Sequence, residues 1–396
     1  MKIDLLNLRR QYESQKEEID KAVLEVLESS KYINGPHVQS FEKECAEYLH
    51  VKHAISVANG TDALVIALKA LGIKSGDEVI TTTWTFFATG EAIAIVGATP
   101  VFVDCNIDDY TINVDLIESK ITDKTKVILP VHIFGQPCNM DRILEIAKKH
   151  NLYVLEDAAQ AIGANYKGKM IGGIGDITTF SFFPTKNLGG FGDGGLITTN
   201  SDELATMIKA LKSHGSGDYG RQAYELLNKT KVESTTQDNG SVIFNPAKYF
   251  NYLIGYNSRL DEIQAAILRI KLKKLDEWNK ERITIAQQYN DKFKDIFNVP
   301  VIRNNEESVF HLYILQSDNR DKVIEYLNNN GIATGIYYLV PMHKQKTFEY
   351  LTFDNQEFKN AEFLSSRTFA IPASQDLNKE EIDYIIDVLG KWKNED

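Results

Sequence analysis

Short apolar runs and amphipathic stretches alternate along the first half of the chain. Runs rich in β-branched residues predict strands, and apolar residues at helical spacing predict a helix at residues 140–149. Strands that alternate with helices need right-handed crossovers, so we expect a mostly parallel sheet with helices on both faces. The predicted strands are residues 78–81, 100–104, 127–131, 153–156, 178–181 and 196–199.

The second half of the chain predicts a long helix and then a smaller α/β part. Ser258 and Asp261 resemble the start of a capping box, so a helix should begin near Ser258. Apolar residues at helical spacing between 263 and 278 give this helix a buried face. A strand at 311–315 and a helix at 321–329 are expected to follow.

One polar stretch interrupts the pattern. Residues 217–245 are weakly periodic and predict a long loop or insertion, of a length that is usually functional or disordered. The length of 396 residues allows two or three domains. We expect an N-terminal arm and a large domain over residues 1–255, with the insertion inside it. A bridging helix and a small C-terminal domain should take up residues 256–396.

Composition and charge narrow the class of protein. Hydrophobic residues make up 43% and charged residues 25% of the chain, which is ordinary globular usage. The formal net charge of −11 argues against binding to nucleic acid or to an anionic membrane. The start of the chain does not predict a signal peptide, and no apolar stretch predicts a membrane helix.

The cysteines and histidines predict a reduced chain without a metal site. Cys45, Cys105 and Cys138 lack metal-ligand spacing and cannot all pair, so a reduced, cytoplasmic chain is expected. The eight histidines show no zinc pattern, and we predict no metal site. His132 and His343 are interpreted as structural or substrate-lining residues.

A strand-end carboxylate and a later lysine carry the chemical signal. Asp157 closes the apolar run 153–156, and Lys186 stands in the run Pro184-Thr185-Lys186-Asn187-Leu188-Gly189-Gly190. An enzyme that uses pyridoxal phosphate (PLP) needs both: the lysine amine binds the cofactor aldehyde covalently, and the carboxylate keeps the ring nitrogen protonated. Alone, either residue is ordinary, because lysines are usually solvated and strand-end aspartates often cap helices.

Further motifs extend this signal over nearly the whole chain. With Asp157 and Lys186, they resemble the DegT/DnrJ/StrS family of PLP-dependent nucleotide-sugar aminotransferases, from about Leu6 to Leu389. The resemblance implies an aspartate aminotransferase-like fold of type I, an α/β fold with a large, mostly parallel mixed sheet in the PLP-binding domain and a smaller C-terminal α/β domain. The motifs are Asn59-Gly60-Thr61-Asp62, Thr83-Trp84-Thr85-Phe86-Phe87, Gly192-Asp193-Gly194-Gly195 and Gly255-Tyr256-Asn257-Ser258-Arg259-Leu260-Asp261-Glu262.

The resemblance assigns the cofactor phosphate to the start of a helix. Gly60 and Thr61 should bind it, because free N–H groups and the helix dipole suit an anion there. Ser181 is expected to donate a further hydrogen bond. Asn257 matches a family residue that reaches the phosphate from the other subunit, which implies a homodimer with shared active sites.

The same resemblance assigns the cofactor ring. Phe86 should stack on the ring, although Trp84 and Phe87 are equally aromatic neighbours. Asp157 should pair with the ring nitrogen and Gln160 with the ring hydroxyl, and their spacing of three places both on one face of an expected helix. Lys186 should hold PLP and move the proton, with pyridoxamine phosphate carrying the amino group between the two substrates.

The expected activity is transfer of an amino group from L-glutamate to a nucleotide-linked keto sugar in deoxyamino sugar biosynthesis for lipopolysaccharide or another glycan. The residues around Lys186 resemble those of the family's C3-acting group, and residues 248–249 and 275–279 favour a dTDP-3-keto-6-deoxyhexose. Phe183 instead matches enzymes for a UDP-3-keto-N-acetylhexosamine. A C4-acting aminotransferase and a non-catalytic regulator or scaffold are the alternatives, and the intact site argues against the last.

Overall fold

The computed structural model describes residues 1–232, 249–353 and 357–392. Strands and helices alternate in its first half, as the sequence predicts. The strands in these ranges are β1 (His53–Val57), β2 (Glu78–Thr82), β3 (Thr99–Val103), β4 (Thr125–Leu129), β5 (Tyr153–Asp157), β6 (Asn165–Tyr166), β7 (Lys169–Met170), β8 (Ile177–Ser181), β9 (Gly195–Thr199), β10 (Glu306–Glu307), β11 (Tyr313–Gln316) and β12 (Thr368–Ile371).

The helices cover both faces of the sheet and build the C-terminal part. Those in the described ranges are α1 (Leu8–Ser14), α2 (Lys16–Ser29), α3 (Pro36–Tyr48), α4 (Gly60–Ala70), α5 (Ala88–Ile95), α6 (Met140–His150), α7 (Asp202–Leu211), α8 (Gly217–Asn228), α9 (Glu262–Leu272), α10 (Leu275–Phe293), α11 (Arg320–Asn329), α12 (Lys359–Arg367) and α13 (Lys379–Gly390). Among them, none is both long and apolar enough to cross a bilayer.

Seven strands form one mixed sheet in the order β1-β9-β8-β5-β4-β2-β3. Strands β3, β2, β4, β5 and β8 run parallel, and β9 is antiparallel to both of its neighbours. The predicted α/β fold with a large, mostly parallel sheet is therefore confirmed. Because the parallel strands share a direction, their carboxyl ends lie along one edge, where open α/β sheets bind ligands.

Successive side chains of these strands point to opposite faces of the sheet and are buried in two separate hydrophobic cores. Val79 packs with α4, α5 and α7 on one face, and its neighbour Ile80 packs with α3, α6 and α9 on the other. The same alternation holds for Leu155 and Val154 in β5. Strands buried on both faces explain why the sequence shows continuous apolar runs rather than alternation.

The C-terminal part has its own core around the antiparallel pair β11–β12. Helices α10, α11 and α13 supply most of that core, and Ile3 from the other end of the chain is buried in it. Ile3 bridges Ile332, and its N–H donates to the carbonyl of Gly331. The first residues are thus bound to the C-terminal part, while the domain boundary at residue 255 stays a prediction.

Four predictions about local structure are wrong. The long helix begins at Glu262 rather than near Ser258, because the Ser258 hydroxyl donates to Asp62 instead of capping. That helix also ends at Leu272, and a second one starts at Leu275. Residues 217–228 of the expected loop form α8, whereas residues 233–248 lie outside the described ranges. Residues 158–164 form turns, so Asp157 and Gln160 do not share a helix.

Candidate active site

A cleft of about 860 Å³ opens at the carboxyl edge of the parallel strands. Asp157 is the last residue of β5 and Ser181 is the last residue of β8, so the sheet itself presents both side chains to the cleft. Seven of the eight predicted site residues line it, namely Gly60, Thr61, Phe86, Asp157, Gln160, Ser181 and Lys186. The geometry therefore brings together residues that are up to 126 positions apart in the chain.

The amino end of α4 faces this cleft. Asn59 caps the helix by accepting the N–H of Asp62 at 2.8 Å, which leaves the N–H groups of Gly60 and Thr61 without an acceptor in the described ranges. A Cβ at Gly60 would stand 2.8 Å from Ser181 Cβ, so this position needs glycine for the close approach of the two segments. Free N–H groups, a helix amino end and a serine hydroxyl suit a phosphate.

Gly60→Ala should weaken binding of PLP about tenfold, because overpacking of this kind costs roughly 1–3 kcal/mol and would displace Ser181 or the start of α4. Titration of the cofactor-free protein with PLP, followed by absorbance, measures the change. Gly390→Ala is the matched control, since a Cβ there meets no atom within 4 Å. Unchanged affinity in Gly60→Ala would show that this turn does not bind the phosphate.

The carboxylate of Asp157 is buried and lacks a cationic partner. Its oxygens accept the Thr89 hydroxyl at 2.9 Å and the N–H of Ala159 at 3.1 Å, and no salt bridge reaches it from the described residues. Burial raises the pKa of Asp157, although both hydrogen bonds and the charge of Lys186 act against that rise. A buried carboxylate in this state favours a cationic ligand, such as a protonated pyridine nitrogen.

The amine of Lys186 is free to react. Its Nζ makes no hydrogen bond or ion pair with the residues that the structure describes. Burial lowers the pKa of Lys186 to about 8, and the nearby carboxylate of Asp157 offsets part of that effect. Near pH 8 a large fraction of the side chain is therefore the neutral amine, which is the form that attacks an aldehyde or accepts a proton.

Covalent attachment of PLP should follow the titration of Lys186. The rate constant for attachment should rise about tenfold per pH unit below pH 8 and level off above it, because only the neutral amine attacks. Stopped-flow absorbance of the cofactor-free protein with PLP gives this profile. Non-covalent binding by Lys186→Ala controls for ionisation of the cofactor phosphate, and a flat profile after that correction would contradict the lowered pKa.

Phe86 is the aromatic residue of its motif that faces the cleft. Its side chain is 59% exposed, whereas Trp84 is fully buried and donates its indole N–H to the carbonyl of Tyr338. Phe87 is half-buried and packs against the core on the α4 side. Both neighbours are therefore core residues, and Phe86 alone of the three lines the cleft.

Gln160 is held by two hydrogen bonds at the cleft wall. Its Oε1 accepts the N–H of Phe134 at 2.6 Å, and its Nε2 donates to the hydroxyl of Tyr338 at 2.8 Å. One Nε2 proton remains for a ligand. The sequence analysis did not assign Tyr338 or Thr89 to the site. The paired tyrosines Tyr337-Tyr338 could have indicated the first, whereas a single threonine in a helix indicates no function.

The two singled-out histidines are structural. His132 is fully buried, accepts the N–H of Cys138 on Nδ1 and therefore donates from Nε2 to Glu156 at 3.0 Å. His343 lies between the Thr83 hydroxyl at 2.8 Å and Glu362 at 3.1 Å. His311 does line the cleft, and sequence reasoning missed it.

Asn257 does not line the cleft of its own chain. It is exposed and bridges Ser213 through its backbone. Asn257 could therefore contact the cofactor phosphate only in the active site of a second chain. Within one chain, the other seven predicted residues line the cleft. These fit PLP: a glycine turn against Ser181 for the phosphate, a buried carboxylate without a salt bridge for the ring nitrogen and a free lysine amine for the aldehyde.

Comparison with known proteins agrees with this geometry. A model of the DegT/DnrJ/EryC1/StrS aminotransferase family matches residues 13–390. The chain is 41% identical to a "pleiotropic regulatory protein" of Geobacillus stearothermophilus, covering 99% of each. It is 40% identical to the dTDP-3-amino-3,6-dideoxy-alpha-D-galactopyranose transaminase of Aneurinibacillus thermoaerophilus, covering 98% of this chain and 99% of that one.

Two further similar proteins have names that mention a UDP-linked sugar and a bound cofactor. The UDP-N-acetyl-3-dehydro-alpha-D-glucosamine 3-aminotransferase of Acidithiobacillus ferrooxidans is 38% identical, with 98% of this chain and 97% of that one covered. The crystal structure of NtdA from Bacillus subtilis with bound PMP superposes with a TM-score of 0.83 at 32% identity, covering 98% and 84% of the two chains.

The chain belongs to the DegT/DnrJ/EryC1/StrS aminotransferase family. It is a PLP-dependent sugar aminotransferase of the kind that acts on nucleotide-linked keto sugars. The predicted family, cofactor and enzyme class are thereby confirmed.

Proposed function

We propose that this enzyme transfers an amino group from L-glutamate to C3 of a dTDP-3-keto-6-deoxyhexose. The run around Lys186 carries the proposal, because its residues resemble those of C3-acting members of the family. Two relatives at 40% and 38% identity bear names that place the amino group at C3. The choice of dTDP as the nucleotide is supported by residues 248–249 and 275–279 and by the relative with the higher identity.

Lys186, Asp157 and Phe86 have different roles in the proposed reaction. PLP, when bound, supplies the aldehyde that accepts the amino group and a ring that withdraws electrons. With PLP bound, Lys186 Nζ would take the proton from Cα of the donor and deliver it to the aldehyde carbon of the cofactor, and its pKa of about 8 suits both roles. Asp157 keeps a positive charge on the ring nitrogen, and Phe86 excludes water from one face of the ring.

A second copy of this chain is proposed to complete each active site. Asn257 lies outside the cleft of its own chain, and the segment before it is apolar and open to solvent: Ile254 is 97% and Phe250 45% exposed. Exposed apolar residues in sequence around a candidate ligand residue are what a subunit interface covers. Sedimentation should give twice the mass of the chain, and Ile254→Asp should shift it toward a monomer with weaker PLP binding.

The substrate is tested with the purified enzyme, L-glutamate and a panel of keto sugars, with mass spectrometry of the amino sugar. The panel contains dTDP-3-keto-6-deoxyglucose, dTDP-3-keto-6-deoxygalactose, a UDP-3-keto-N-acetylhexosamine and a dTDP-4-keto sugar. Product from a dTDP-3-keto sugar supports the proposal. Product from the 4-keto sugar alone would overturn the C3 assignment and leave the cofactor chemistry intact.

One observation favours a second candidate substrate, the UDP-3-keto-N-acetylhexosamine. Phe183 stands where enzymes for dTDP sugars usually have tyrosine, and its side chain lines the cleft and is 50% exposed. A residue at this position meets the substrate rather than the core. Phe183→Tyr is therefore the informative variant: a gain for dTDP sugars over UDP sugars would show that this ring selects the nucleotide sugar.

A further inference from the structure

Part of the cleft is lined by buried residues of the C-terminal part, and we call this part the inner recess. It is lined by Arg282, His311, Tyr313, Ile371, Ala373 and Ser374. Tyr313 and Ile371 are register partners in β11 and β12, and Arg282 on α10 donates to the carbonyl of His311, so these residues are neighbours in space. All are buried, in contrast to Phe86 and Phe183 at the exposed part of the cleft.

Arg282 places a positive charge without a salt bridge in the inner recess. The side chain is 3% exposed, and its Nη1 donates to the carbonyls of Phe310 at 3.2 Å and His311 at 3.3 Å. Its Nε has no partner, and within the described ranges no carboxylate forms a salt bridge with it. A buried cation without an anion is costly, so such a residue is expected where an anionic ligand binds.

The charge persists at neutral pH. Burial lowers the pKa of Arg282 to about 10, while the carboxylate of Asp376 acts in the opposite sense. Asp376 itself accepts the N–H of Asn7 at 2.7 Å. The guanidinium therefore stays protonated, and one of its donors is unused.

Ser374 supplies a second unused donor. Its side chain is 2% exposed, and its hydroxyl has no hydrogen-bond partner. The Tyr313 hydroxyl is not available, because it donates to Asn290 at 2.7 Å. Buried polar groups in native proteins are nearly always paired, so two unpaired donors that line one recess indicate a ligand with acceptor oxygens.

The inner recess lies close to the reacting amine. Burial and then the positive charges of Lys186 and Arg282 hold the pKa of His311 well below its usual range. His311 therefore lies within electrostatic reach of both cations and is neutral. A compact molecule with an amino group at Lys186 could place a carboxylate at Arg282.

We propose that Arg282 and Ser374 bind a carboxylate of the amino donor. This assignment rests on the proposed function, since it names the part of the site that receives L-glutamate. The other anion that the enzyme meets is the diphosphate of the nucleotide sugar. That group belongs to a large ligand, and the enclosed recess suits a small acid better than a nucleotide, which needs the exposed part of the cleft.

The test uses the full-length PLP-loaded enzyme and two probes, 2-oxoglutarate and dTDP. Calorimetric titration gives the dissociation constant of each for the wild type and for Arg282→Met, Arg282→Lys and Ser374→Ala. Arg282→Met should weaken binding of 2-oxoglutarate about 10- to 100-fold and Ser374→Ala about 3- to 10-fold, with dTDP changed less than twofold. Arg320→Met is the matched control, because Arg320 is buried and donates to a backbone carbonyl but does not line the cleft.

The half-reaction with L-glutamate, followed by the absorbance change of the cofactor, should show the same loss as a higher half-saturating concentration. Unchanged 2-oxoglutarate binding in Arg282→Met, or a loss of dTDP binding instead, overturns the proposal. If Arg282→Met melts early, Arg282→Lys and Ser374→Ala decide the question. A wild type that binds 2-oxoglutarate through Arg282 but aminates no keto sugar would refute the proposed function and leave this inference standing.

Discussion

Lys186→Ala should abolish transamination and leave the chain folded. Acid–base catalysis by a positioned side chain is worth about 10²–10⁴-fold, and the loss of covalent attachment adds to this. The fold should survive, because Lys186 Nζ makes no hydrogen bond with any residue in the described ranges and burial already disfavours its charge. Mass spectrometry of the amino sugar measures activity, and borohydride reduction followed by protein mass spectrometry measures covalently bound cofactor.

Lys271→Ala is the matched control for this experiment. Lys271 is also buried, and burial lowers its pKa to about 8, but it donates to the carbonyl of Gly189 and does not line the cleft. This variant should still trap PLP after reduction. Residual turnover in Lys186→Ala, or trapping that is lost only in Lys271→Ala, would remove Lys186 from its assigned role.

Asp157→Asn should lower kcat by about 10²–10³-fold while PLP still attaches to Lys186. An amide of the same shape can accept the N–H of Ala159 and donate to the Thr89 hydroxyl, but it cannot hold a positive charge on the ring nitrogen. Single-turnover kinetics with L-glutamate isolate the proton-transfer step. Thr89→Val, which removes one hydrogen bond from the same carboxylate, should cost roughly tenfold or less. Equal losses in the two variants would contradict a charge role for Asp157.

The same substitution should have the opposite effect on the stability of the cofactor-free protein. The folded-state pKa of Asp157 is raised, so the unfolded chain releases this proton at lower pH than the folded chain. The free energy of unfolding therefore falls as pH rises from the pKa of Asp157 in the unfolded chain to its pKa in the folded chain. At neutral pH the wild type is destabilised by its ionised, buried Asp157. Without PLP, Asp157→Asn should be at least as stable as the wild type at pH 7 in urea denaturation; with PLP the order should reverse.

The sequence predicts the sheet well and picks out the residues that line the cleft, because both depend on local signals. Continuous apolar runs mark β2 to β5, and Asp157 and Lys186 stand in distinctive motifs. The failures depend on tertiary contacts. Ser258 has the sequence of a helix cap, yet its hydroxyl donates to Asp62 and accepts the N–H of Ala58, and both partners lie about 200 residues away.

The inner part of the site was not predictable for the same reason. Arg282 lies in an amphipathic helix that contains other charged residues, and only the packing of α10 against β11 shows that it is buried and that its Nε has no partner. Trp84 and Phe86 are equivalent in sequence, and their separation into core and cleft follows from the turn after β2. Asn257 remains a prediction, because its assigned contact needs a second chain.

The attachment of the first residues to the C-terminal part has a consequence during synthesis. Leu5 and Leu6 line the cleft, and the adjoining backbone is fixed by contacts that span most of the chain, such as Asn7 with Asp376 across 369 positions. A chain emerging from the ribosome presents its phosphate turn, strand-end carboxylate and lysine long before Asp376 exists. The residues around Asp157 and Lys186 are therefore synthesised early, but the inner recess is complete only when translation has almost finished.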